Sequence, residues 1–150
     1  MMITQQIQAV QNAKRLPRAK VCCKWENLLF FSGHGCENNF TGDPLAVGKV
    51  GKEITLKQAK ELARECALIL IDALQDELGD LDRVAGIVNA FALVNCMDDF
   101  TQLDEVMDGF SETMVSVFGE RGIHTRMVAG TSALPFNIPV EIEMIAEVKP

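Results

Sequence analysis

The sequence predicts an α+β protein, a sandwich in which a mixed β-sheet carries two helices on one face. Two segments, Leu56 to Leu78 and a stretch ending near Phe118, place apolar residues at helical spacing. Between and around them lie strand-length segments that alternate or run apolar, the clearest being Val140 to Val148. At 150 residues the chain suits one domain, large enough to bury about 68–70% of its unfolded surface. No repeat, low-complexity tract or linker divides it, so residues 1–150 are expected to form a single domain, with 1–17 an N-terminal extension.

Residues 3–14 suit a short polar helix ended by Leu16-Pro17. Val21 to Trp25 and Leu28 to Ser32 read as two strands around a turn at Glu26-Asn27. Gly33-His-Gly35 is expected to break that pattern, and residues 36–51 carry the Asn, Gly, Asp and Pro of a loop. Thr55 is a good N-cap for a helix from Leu56 to Leu78, and Gly79 stops it. Its inward stripe is Ala59, Leu62, Ala63, Cys66, Ala67, Leu70 and Leu74. Val84 to Val94 is nearly all apolar, which suits a strand covered on both faces, although periodicity alone also allows a buried helix. Asp99 or Thr101 is expected to cap the second helix, with Val106, Phe110, Met114, Val115 and Phe118 facing inward. Arg126 to Ala129 and Val140 to Val148 close the chain as strands. The order is β-β-α-β-α-β, with room for extra short strands.

One layer of helices covers only one sheet face, yet Val84 to Val94 is apolar on both. The second face is therefore expected to meet another copy of the chain. In the last strand Val140, Ile142, Met144, Ala146 and Val148 share one face, while Glu141, Glu143, Ile145 and Glu147 share the other. Repeated Glu on one face repels; a cation returning from a neighbouring strand would relieve it, and Arg126 is the nearest such candidate in sequence.

The charge of −7, from 21 acidic and 14 basic residues, disfavours nucleic acid as a partner. No segment approaches the roughly 20 apolar residues that span a bilayer, and the N-terminus lacks an apolar signal core. A cytoplasmic protein with no membrane partner is expected. Its five cysteines are odd in number and irregularly spaced, which suits reduced thiols. Cys22, Cys23, His34 and Cys36 match no standard zinc spacing, so no metal site is expected.

Several landmarks carry a family resemblance: Asn27-Leu-Leu-Phe-Phe-Ser-Gly33, Leu81-Asp-Arg-Val84, Asp98-Asp-Phe100, Arg126 followed after eight residues by Pro135, and Val140-Glu-Ile-Glu-Met-Ile-Ala146. In order and spacing the chain resembles the YjgF/RidA family, the reactive intermediate deaminases, also called endoribonuclease L-PSP proteins. It looks nearest to a branch with a Phe-Gly-Glu-x-Gly-x-His-x-Arg run, here Phe118 to Arg126. The resemblance implies a chorismate-mutase-like fold, assembled as a homotrimer around a central barrel, with three ligand sites in clefts between subunits. It implies hydrolysis of enamines and imines such as 2-aminoacrylate to 2-oxo acids and ammonia, without a cofactor. By the same resemblance Arg126 grips the carboxylate of a small metabolite and Glu141 orients water. Backbone groups near Gly33 and Val128 complete the pocket. Non-catalytic binding or regulation in the same clefts is the alternative, and ribonuclease activity a more distant one.

The residue types suit that chemistry. Guanidinium binds a carboxylate through two parallel N–H bonds and keeps its proton. Phe91 and Asn95, toward the end of the central strand, are further candidates to reach the cleft from a neighbouring subunit. His124 reads as a turn or interface residue rather than a base. The chain departs from the family pattern in having no tyrosine and in placing Met127-Val128 after Arg126, which implies a differently shaped, more apolar pocket.

Overall fold

The computed structural model describes residues 20–38 and 41–150. The helix expected over residues 3–14 lies outside the described residues. Strands β1 (Cys22–Trp25), β2 (Leu28–Gly35), β3 (Val84–Asn95), β4 (Thr125–Thr131) and β5 (Val140–Val148) form one sheet in the order β1-β2-β5-β3-β4. Neighbours are antiparallel except β3 and β4, which are parallel. That pair is joined through helix α2 (Leu103–Phe118), because parallel strands need a long crossover. Helix α1 (Leu56–Leu78) lies beside α2 and packs on the same sheet face. The expected α+β sandwich is thus present, with β5 at the centre of the sheet and β4 at its edge.

Local sequence accounts for most element ends. Thr55 and Gln58 form a reciprocal capping box, each side chain bonding the other's backbone N–H. Gly79 closes α1 in the left-handed conformation, φ +73°. Helix α2 starts differently from expectation. Its first helical residue is Leu103, and the N-cap Gln102 makes no side-chain cap bond. Asp99 is taken up in the turn that bonds the Phe100 N–H to the Met97 carbonyl, so neither it nor Thr101 caps the helix.

β2 also runs further than its sequence suggests. Gly33-His-Gly35 does not end the strand, because a bulge between Phe31 and His34 resets the register and lets His34 and Gly35 pair with Ile142 and Glu141. β5 is central, paired on both edges, and its Val140, Ile142, Met144, Ala146 and Val148 are buried as the alternation predicted. Against them pack Ala63, Cys66, Ala67, Leu70 and Leu74 of α1 with Val106, Phe110, Met114 and Phe118 of α2. Val115 is exposed instead, and Met107 takes an inward place. Met107 lies three residues before Phe110 and seven before Met114, on the same stripe, whereas Val115 lies one position past Met114.

The sheet face away from the helices stays open in the protomer. It presents Phe30, Val88 and Met127, all substantially exposed, beside half-buried Phe91, Leu93 and Ile145. No described helix is long and apolar enough to cross a membrane.

Candidate functional site

Arg126 stands on β4, the edge strand. It pairs with Ala90, which is fully buried beneath the helices, so its side chain rises on the helix side of the sheet. There Nη1 donates to Ser111 Oγ at 3.0 Å, while Nη2 lies 2.9 Å from Asp108 Oδ1 and 3.3 Å from Asp104 Oδ1. Asp104, Asp108 and Ser111 recur at i, i+4 and i+7 along α2, which sets all three on the helix edge that overlooks β4.

This corrects the expectation that Arg126 relieves the glutamates of β5. Those lie on the opposite face; the acids that meet Arg126 come from α2. Of the β5 glutamates, Glu147 accepts a 2.7 Å bond from Asn27 Nδ2.

Behind Ser111 sits His124. Its Nδ1 is 2.7 Å from the Gly122 carbonyl, which can only accept, so Nδ1 carries the proton. Nε2 of the neutral ring then accepts the Ser111 hydroxyl proton at 3.1 Å, which turns the Ser111 lone pairs toward Arg126. Burial, and after it the Arg126 charge, hold the His124 pKa below its ordinary value of 6.5, against the opposing Gly122 bond. The imidazole stands edge-on to Phe110, centroids 5.5 Å apart at 83°. Sequence reasoning placed His124 in a turn and missed Ser111, Asp104 and Asp108. The i, i+4 spacing of the two aspartates was the available signal.

Glu141 belongs to the other face. It pairs with Gly35 on one side and Leu93 on the other. Its carboxyl group lies over Gly33 so closely that a Cβ there would collide with Oε1. Only glycine permits that approach.

Arg126 and Glu141 therefore do not meet within one protomer. Three residues along the strands, two strand spacings and opposite sheet faces separate them, about 14 Å between Cα atoms by ideal sheet geometry. Phe91 shares the Glu141 face, between Met127 and Glu143. Val128 pairs with Ala92 and packs its side chain on the core, leaving only its backbone for a ligand.

Asn95 reaches no cleft in the protomer. It is 0% exposed, accepts from Lys49 Nζ at 2.8 Å, and donates to Asn137 Oδ1 at 3.0 Å and the Ile138 carbonyl at 3.2 Å. It ties down the Leu134–Ile138 turn, where Phe136 and Asn137 adopt φ of +55° and +56°. Its amide is consumed by structure. Among the described residues no group of three or more His, Cys, Asp or Glu is placed to hold a metal ion.

A mixed five-stranded sheet with two helices on one face defines a class of small α+β proteins. Comparison with known proteins places the chain within it. The Endoribonuclease L-PSP family model matches residues 6–148, and the chain belongs to that family, the YjgF/RidA family. It is 37% identical over 120 residues to Protein TCP17 of Trypanosoma cruzi, spanning 79% of this chain and 74% of that one. Among solved structures, protein Atu1372 of Agrobacterium tumefaciens superposes with a TM-score of 0.84 at 29% identity, covering 92% of this chain and 87% of its own. The Rid-family protein YyfA of Yersinia pestis shares the fold at a TM-score of 0.60 and 21% identity, over 89% and 90% of the two chains.

Proposed function

We propose that this protein hydrolyses reactive enamines and imines of small carboxylates, such as 2-aminoacrylate, to 2-oxo acids and ammonia, in clefts between the subunits of a homotrimer. The observation that carries the reading is the half-buried guanidinium of Arg126 at an open sheet edge. One arm is pinned by Ser111; the other rests on solvent-exposed aspartates that can move aside. That arm takes the substrate carboxylate by charge-assisted hydrogen bonds.

Glu141 and Gly33 form the other half of the site. Because they stand apart from Arg126 within one chain, the reading takes them from the neighbouring subunit. The open apolar sheet face, with Phe30, Val88 and Met127, supplies the surface that a second copy would cover. Backbone groups at Gly33 and Val128 line the cleft, and Phe91 provides an apolar wall.

The chemistry needs little more than placement. The enamine takes a proton from solvent on its β-carbon to become the iminium. Glu141 accepts a proton from water as the water oxygen bonds to the iminium carbon, and passes it to the nitrogen. The C–N bond then breaks, ammonia leaves, and the hydroxyl gives its proton to solvent as the carbonyl forms. Imine hydrolysis is fast in water already, so positioning and charge stabilisation suffice, and no cofactor is invoked. Five unpaired cysteines suit a reducing, cytoplasmic setting.

The test is 2-oxo acid formation while a dehydratase generates 2-aminoacrylate. Wild type should exceed the buffer rate, and Arg126→Ala should lower kcat/KM by about 100-fold. No gain over buffer with several amino-acid-derived imines would remove the enzymatic reading.

The two aspartates already on Arg126 favour a second reading, a binding or regulatory trimer without turnover. A small carboxylate that raises Tm without being converted would support it. Ribonuclease activity has less support, because a charge of −7 opposes a polyphosphate ligand.

A further inference from the structure

Arg126 meets two carboxylates, not one. With Asp104 and Asp108 on the same nitrogen, the cluster carries one positive and two negative charges. A plain carboxylate entering here would exchange one charge-assisted bond for another. It would also sit beside the two acids it displaced, and like charges at that range disfavour binding. A ligand with a cationic nitrogen next to its carboxylate meets no such conflict. Its carboxylate takes the Arg126 Nη2 arm, and its N–H groups donate to the displaced aspartate.

The two arms of the guanidinium are built for that exchange. Nη1 is fixed on Ser111, whose hydroxyl is itself committed to His124. Nη2 faces side chains that are 80% exposed at Asp104 and 40% at Asp108, against 27% for Arg126. The guanidinium stays in place while its partners turn aside.

We propose that Asp104 and Asp108 are specificity-determining residues that make the Arg126 site select zwitterions, α-imino and α-amino acids, over simple carboxylates. This rests on the reading of Arg126 as the carboxylate grip. A protonated imine is held by both charges. The 2-oxo acid left after hydrolysis has lost its cationic nitrogen and faces a net negative cluster, which favours its departure.

Alanine and pyruvate share a carbon skeleton and differ in that nitrogen, so they form the test pair. Titration calorimetry on the full-length protein should show alanine binding about tenfold or more tightly than pyruvate. The double variant Asp104→Asn with Asp108→Asn, both isosteric and on exposed positions, should bring pyruvate level with alanine or above it. Arg126→Ala should lose both ligands.

Equal binding of the two ligands by wild type, with both lost in Arg126→Ala, would overturn the selectivity and leave the carboxylate grip standing. An unchanged ratio in the double Asn variant would do the same. Binding that survives Arg126→Ala, or no binding of either ligand at millimolar concentration, would overturn the grip and the selectivity together.

Discussion

At the scale of single residues, the cluster around Arg126 makes His124 the natural reporter. Its folded pKa lies below the ordinary 6.5 because burial disfavours the charged ring. The unfolded chain therefore binds a proton more readily than the folded one. The stability contributed by the neutral ring is fully present above pH 6.5 and is lost as pH falls through the lowered folded value. Thermal melts should show Tm falling over that window in wild type and falling less in His124→Gln; identical slopes would contradict the assignment. Asn95 gives a second prediction. Asn95→Ala removes the donor to the buried Ile138 carbonyl and the bonds to Asn137 and Lys49, whose ammonium keeps the Ser132 and Cys96 carbonyls, and should cost about 1–3 kcal/mol in urea denaturation. Sequence alone marked Asn95 as a cleft candidate because it ends the central strand. Its actual partners come from Lys49 and Asn137, 46 and 42 residues away, and no local pattern announces such pairings.

At the scale of elements, what was legible divides by the range of the interaction. The α1 cap, its Gly79 stop and the alternation of β5 are local signals, and each element formed as its residues specify. The Phe31–His34 bulge depends on a partner strand more than 100 residues away, and so the end of β2 was misjudged. Arg126 shows the same limit within the candidate site. Its place on a strand was readable, but which face it takes depends on register with β3, and that register separates it from Glu141. The crossing of the two helices is equally non-local. Gly109 of α2 lies so near the Lys60 carbonyl of α1 that an added Cβ would collide with backbone. Gly109→Ala should force the helices apart and destabilise by about 1–3 kcal/mol, read as a lower urea midpoint. An unchanged midpoint would show that the helices slide freely.

At the scale of the whole molecule, the protomer is a finished core with an unfinished surface. One sheet face is sealed by helices; the other leaves Phe30, Val88 and Met127 in water, and the two halves of the candidate site lie on opposite faces. The proposed trimer would account for both features. Sedimentation equilibrium should give a trimer mass for wild type, and a charge on the open face, Ile145→Glu, should shift it toward monomer. The central claim is that each site joins Arg126 of one subunit to Glu141 of the next, and mixed trimers test it most directly. Arg126→Ala and Glu141→Gln should each be inactive alone. When the two are co-expressed in equal amounts, random assortment pairs an intact arginine with an intact glutamate in about a quarter of the sites, restoring about that fraction of the wild-type imine hydrolysis rate. Mixed trimers that form yet stay as inactive as either parent would contradict the composite site.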